Sequence, residues 1–170
     1  METLLLITIS GPDRSGLVER LAEKVAANGG NWEHSRMTHL GDRFVGLLQV
    51  RVPHDRKSDL ELAVRGISEL DVIIASADAI KELPTQAQFE LEITGSDHPG
   101  IVRDIFSALN IAGANVEHLQ TETVSAPESG GLLFQAKARL SCSEGVDHEL
   151  LRAQLESIAH DILVDIDLKN

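Results

Sequence analysis

Apolar positions along the chain follow two rhythms, alternation and helical spacing, and the same succession of rhythms runs twice. Leu4 to Ser10 is apolar and β-branched and is closed by Gly11-Pro12, the pattern of a strand ending in a tight turn. Phe89 to Thr94 alternates apolar and polar residues and predicts the equivalent strand. Each strand leads into a helical pattern, Leu17, Val18, Leu21 and Val25 in one stretch and Ile101, Val102, Ile105, Phe106 and Leu109 in the other. Both helices are expected to start near an aspartate, Asp13 or Asp97, whose carboxylate can cap exposed backbone N–H groups. Pro99 suits a first helical turn because it has no N–H to leave unpaired. Gly29 and Gly113 are the expected stops.

Two further strands follow, Asn31 to about His39 and Phe44 to Val52, joined by the hairpin-like turn Leu40-Gly41-Asp42-Arg43. Their counterparts are Asn115 to Val124 and Leu132 to Leu140, around a wider loop. A second helix turns Leu60, Val64 and Ile67 inward, or Leu151, Leu155 and Ile158 in the later stretch. Each succession closes on an apolar strand, Val72 to Ala79 and Ile162 to Leu168.

The duplication is visible residue by residue. Gly11-Pro12-Asp13-Arg14-Ser15-Gly16-Leu17-Val18 aligns with Gly95-Ser96-Asp97-His98-Pro99-Gly100-Ile101-Val102, a spacing of 84 residues from Gly11 to Gly95. The same spacing carries Gly29-Gly30-Asn31-Trp32-Glu33-His34 onto Gly113-Ala114-Asn115-Val116-Glu117-His118. Each copy is long enough to form a small domain. The expected organisation is one module over residues 1–82, a polar linker over 83–88 containing Pro84, and a second module over 89–170. The order β-α-β-β-α-β predicts an α+β, ferredoxin-like plan: an antiparallel sheet with two helices on one face. Two such modules can pair sheet edges, within the chain or between chains, and so hide strands that would otherwise be exposed.

Composition narrows the function. Aromatic residues are 3% and tyrosine is missing, so cores must be built from Leu, Ile, Val and Ala. The net charge of -12 repels phosphate backbones, and no basic run or interleaved aromatics offset it, so direct nucleic-acid binding is not expected. A single cysteine, Cys142, allows no internal disulfide and no cysteine-based zinc site, and reads as a small strand residue. Met1-Glu2-Thr3 offers no basic leader, and Leu4 to Ile9 is too short to span a membrane, so a cytoplasmic protein without membrane contact is expected.

Catalytic signatures are missing. Gly11 and Gly16 have the spacing of a phosphate loop, but Leu17 and Val18 stand where Lys and Ser/Thr are required. The chain has no Gly-x-Ser-x-Gly elbow and no His-Glu-x-x-His. The seven histidines do not form a cluster along the sequence, and on a regular strand His34 and Glu33 face opposite ways. No catalytic residue, metal or cofactor is expected. Trp32 reads as a core residue next to the candidate site and so as a fluorescent reporter.

A strand followed by Gly-x-Asp-Arg-x-Gly-Leu-Val or Asp-x-Pro-Gly-Ile-Val, a helix and then Gly-x-Asn resembles the ACT domain, a regulatory amino-acid-binding module, and does so twice over nearly the whole chain. A pair of modules of this length is similar to the glycine cleavage system transcriptional repressor family. The resemblance implies a ligand at the strand-to-helix loop and near the start of the second strand, often where two modules meet. It points to Gly11, Asp13, Arg14, Ser15, Gly16, Leu17 and Asn31 in the first copy. In the second it points to Gly95, Asp97, His98, Pro99, Gly100, Ile101 and Asn115. The copies differ at Ser15 against Pro99 and at Arg14 against His98, so the two sites need not take the same ligand.

Residue chemistry suits a zwitterion. Backbone N–H groups at a helix start favour a carboxylate, an aspartate can receive an ammonium group, and an asparagine donates and accepts. The same residues also have a plain structural reading, with Gly for the turn, Asp for the cap and Asn for the start of a strand. The resemblance implies a regulator that senses a small amino acid such as glycine or serine. It would act as a homodimer through a protein partner, such as a DNA-binding regulator, rather than on DNA. A regulatory subunit of a metabolic enzyme and a pairing module without ligand are the alternatives, and a small enzyme ranks below them.

Overall fold

The computed structural model describes residues 1–77, 87–126, 130–142, 148–162 and 164–169. The chain divides into two compact units, Met1–Glu82 and Leu83–Asn170. The first has the order β1 (Glu2–Pro12), α1 (Leu17–Ala27), β2 (Asn31–Leu40), β3 (Arg43–Pro53), α2 (Lys57–Arg65) and β4 (Asp71–Ala77), with one turn of 3₁₀ helix at His54–Arg56 before α2. The second repeats it as β5 (Ala87–Ser96), α3 (Ile101–Ile111), β6 (Ala114–Ser125), β7 (Leu132–Cys142), α4 (His148–Ile162) and β8 (Val164–Lys169).

The sheets are β2-β3-β1-β4 and β6-β7-β5-β8, every pair antiparallel. This is the expected ferredoxin-like plan, made twice. In β1 the alternation buries Leu5, Ile7 and Ile9, which pack with Leu48, Val50 and Val52 of β3, Leu17, Leu21 and Val25 of α1 and Leu60 and Val64 of α2. The second core joins Phe89, Leu91 and Ile93 to Ile101, Ile105 and Leu109 of α3 and Leu151 and Leu155 of α4. Both helices of a module therefore cover one sheet face, because only that face carries the uninterrupted apolar set.

Several local expectations need correction. The helices start later than the aspartates suggest. Gly16 and Gly100 occupy the N-cap positions at φ 81 and 93, and neither helix has a side-chain cap. A left-handed cap suits glycine, which has no Cβ to strain there. Asp13 and Asp97 lie in the connecting corner instead, and Pro99 precedes the cap rather than joining the first turn. Val18 and Val102 flank the buried stripes and are exposed. Ile67 is buried but lies beyond the end of α2. Ala87 and Gln88, placed in the linker by sequence, already belong to β5, and Ile162 ends α4 rather than opening β8. The rest of the expected linker, the end of the strand expected to reach Ala79, and the side chain of Ile158 lie outside the described residues.

Candidate functional site

The β1–α1 corner is built by close backbone packing. A Cβ on Gly11 would land on the carbonyl oxygen of Glu69, and one on Gly95 would land on Cγ1 of Val164. Both glycines are buried, so their smallness makes room for neighbouring chain, the turn before β4 at Gly11 and the start of β8 at Gly95. The corner is tied down from the other side. The Asp13 N–H donates to the Asp42 carbonyl at 2.8 Å, and the Asp97 N–H donates to the Leu132 carbonyl at 2.9 Å. Between those anchors Asp13, Arg14, Ser15 and Gly16 are exposed, as are Asp97, His98, Pro99 and Gly100, while Leu17 and Ile101 turn into the cores.

Charge around the first corner is organised by Arg20, whose Nη2 donates to Glu69 Oε1 at 3.1 Å. The Glu69 carboxyl is held below the usual carboxylate range, first by its own backbone N–H and, against the cost of burial, by Arg20, Ser68 and Arg14. In the second corner the His98 ring lies 3.2 Å from the Pro99 carbonyl. A hollow of about 640 Å³ adjoins that corner, with Gly95, Ser96, Glu156, His160 and Asp165 among its lining residues.

Asn31 and Asn115 are elsewhere. Asn31 pairs with Arg51, and Arg51 pairs with Leu4, whereas Gly11 pairs with Phe44. The two positions on β3 are seven residues apart, about 24 Å at roughly 3.4 Å per residue. Asn115 sits likewise opposite Ser141, far from the Ser96–Leu133 end of its sheet. Within one module, one small molecule cannot touch both the corner and the asparagine. Trp32, opposite Val50, packs on the core at the asparagine end and does not adjoin the corner.

One arrangement escaped the sequence reading. The β2 register shifts between Trp32 and His34, which makes Glu33 a bulged residue, and β6 shifts at the equivalent Glu117. The bulge overrides strict alternation. Glu33 Oε1 accepts from Arg51 Nε at 2.6 Å, and its Oε2 accepts from Gln49 Nε2 at 2.9 Å. His34, the next residue, lines a hollow beside the same Gln49. Arg51 holds the Glu33 carboxyl below its ordinary value of 4.5, with burial opposing and Gln49 helping. The signal in the sequence was the repeated Asn-x-Glu-His, which a strict period of two misreads. Cys142 ends β7 fully buried, and burial pushes its thiol up. Among the described residues no three of His, Cys, Asp or Glu converge, and no helix is long and apolar enough to cross a membrane.

The comparisons agree with the fold. Residues 3–76 match the ACT domain model. A crystal structure of an unknown protein from Galdieria sulphuraria superposes with a TM-score of 0.83 at 27% identity, covering 99% of this chain and 98% of that one. A protein described as a "putative glycine cleavage system transcriptional repressor" superposes with a TM-score of 0.73 at 18% identity, covering 100% and 99%. No curated protein shows significant similarity to the chain. The chain thus has a tandem ACT-type architecture, an ACT domain over residues 3–76 followed by a second module of the same fold.

Proposed function

We propose that the protein is an amino-acid-sensing regulator that binds a small zwitterion such as glycine or serine at the β1–α1 corner and passes the signal to a protein partner. The observation that carries this reading is the repeated helix start. In both modules a left-handed glycine opens the helix with no side-chain cap, beside an exposed aspartate. Uncapped first-turn N–H groups and the helix dipole favour a carboxylate, and Asp13 or Asp97, exposed and without a side-chain partner among the described residues, can receive the ammonium group. The match of residues 3–76 to a domain known as regulatory supports the role, and the fold shared with the repressor-like structure supports a part in transcription regulation. Asn31 and Asn115 can join such a site only from another module, of the same chain or of a second one, and a homodimer is one assembly that supplies it. For the ligand to signal, it must bind one assembly state more tightly than another.

Thermal unfolding against the twenty amino acids tests this. Glycine or serine is expected to stabilise the folded protein by about 2.7 kcal/mol at a hundredfold excess over its dissociation constant. Asp13→Ala and Asp97→Ala are expected to remove the shift, one module at a time. A shift that survives the double variant, or no shift with any amino acid, rejects the corner as the site.

A further inference from the structure

The two modules present different open sheet faces although they share one fold. On the first, Leu6, Val45, Leu47 and Ile73 are 38%, 43%, 41% and 70% exposed. The strand registers put Glu90, Gln135, Lys137 and Asp167 at the same four positions of the second. Duplication thus supplies an internal comparison: the same fold carries an apolar open face in the first module and a polar one in the second.

The first face also carries a hollow of about 300 Å³ whose lining includes Leu6, Leu47, His34, Arg36 and Gln49. Its two ends differ in chemistry. Leu6 and Leu47 make an apolar wall. Arg36 stands opposite Leu47 across the β2–β3 ladder, with no ion pair among the described residues although the chain is strongly acidic. Gln49 is oriented by the Glu33 clamp: its Nε2 donates to Glu33, which Arg51 holds in turn, so its Oε1 is left as an acceptor. In the second module the register puts Gln120 in place of Arg36, Lys137 in place of Leu47, Arg139 in place of Gln49 and Glu90 in place of Leu6, so the apolar wall is lost and the cation and the amide exchange places.

We propose that this hollow is a second ligand site, specific to the first module, for an α-amino acid with an aliphatic side chain. The Arg36 guanidinium takes the carboxylate, the Gln49 carbonyl oxygen takes the ammonium, and Leu6 and Leu47 cover the side chain. The site is separate from the β1–α1 corner and selects for the feature glycine lacks, so one chain reads two classes of amino acid.

The test is a titration of the full chain with L-leucine, followed by amide and methyl NMR. Saturable shifts at Leu6, Leu47 and residues 34–36 are expected with leucine and not with glycine. Arg36→Gln, which installs the second module's residue, should weaken leucine binding about tenfold or more, the effect of losing a charge-assisted contact. Leu47→Lys, also the second module's residue, should abolish it while the spectrum stays folded. The α-keto analogue of leucine should bind more weakly, because it lacks the ammonium that Gln49 accepts. The proposal is overturned if leucine gives no saturable shift through the millimolar range, if the shifts fall on residues 13–17 alone, or if Arg36→Gln leaves the affinity unchanged. Corner binding of glycine is read by separate resonances, so failure here leaves that reading standing and the reverse also holds.

Discussion

Gly11 and Gly95 close the β1–α1 corners by leaving no room for a side chain. Their place in a repeated Gly-x-Asp motif suggests contact with a ligand, but Gly11 is buried against the turn before β4 and Gly95 against the start of β8. Gly11→Ala must push its new methyl into the Glu69 backbone, and overpacking of this kind costs roughly 1–3 kcal/mol. Urea unfolding should therefore show a lower midpoint for Gly11→Ala with an unchanged slope. An unaltered midpoint would mean that the turn before β4 gives way at no cost. Gly16 differs, since it is exposed and held at φ 81. There alanine meets backbone strain of about 1–2 kcal/mol rather than a neighbour.

At the scale of elements, the bulge in β2 is the feature that sequence periodicity misses. An inserted residue lets Glu33 reach Gln49 and Arg51 on β3, and the clamp fixes both. The Glu33 carboxyl binds protons less tightly folded than unfolded, held down chiefly by Arg51. Its stabilisation is therefore complete above the ordinary carboxylate value of 4.5 and is lost as the pH falls through the lower folded value. Glu69 follows the same sign. Melting temperature plotted against pH should fall less steeply in acid for Glu33→Gln than for the unaltered protein, and parallel curves would show that the clamp adds no pH-dependent stability. The second module lacks the clamp's basic partner at the position of Arg51, where Ser141 stands, and the Ser141 Oγ is buried without a hydrogen bond among the described residues.

For the whole molecule, charge governs association. A net charge of -12 opposes approach to a phosphate backbone, so the proposed regulator is expected to act through another protein. Electrophoretic mobility of duplex DNA should stay unchanged with this protein alone, even at low salt where electrostatic attraction is least screened. A retarded band at low salt would move the functional reading to direct DNA contact. Protein partners remain open to an acidic surface through complementary basic patches, which set association rate and specificity.

The sequence determined the duplication, the order of elements and the two apolar cores, because a period of two and a period of 3.6 can each bury only one face. It also located the β1–α1 corner, since glycine and aspartate mark where a chain must turn. Tertiary structure alone decided which residues of that corner are available to a ligand. Close approach of neighbouring chain buries Gly11 and Gly95, and antiparallel topology sends Asn31 and Asn115 to the far end of each sheet. A helix that runs back along the sheet returns the chain to where the first strand began, so residues linked by one motif in sequence part by the length of the fold. The hollow beside Arg36 belongs to the same class of fact. Its lining comes from three strands, and only the register of β1, β2 and β3 brings Leu6, Arg36, Leu47 and Gln49 together.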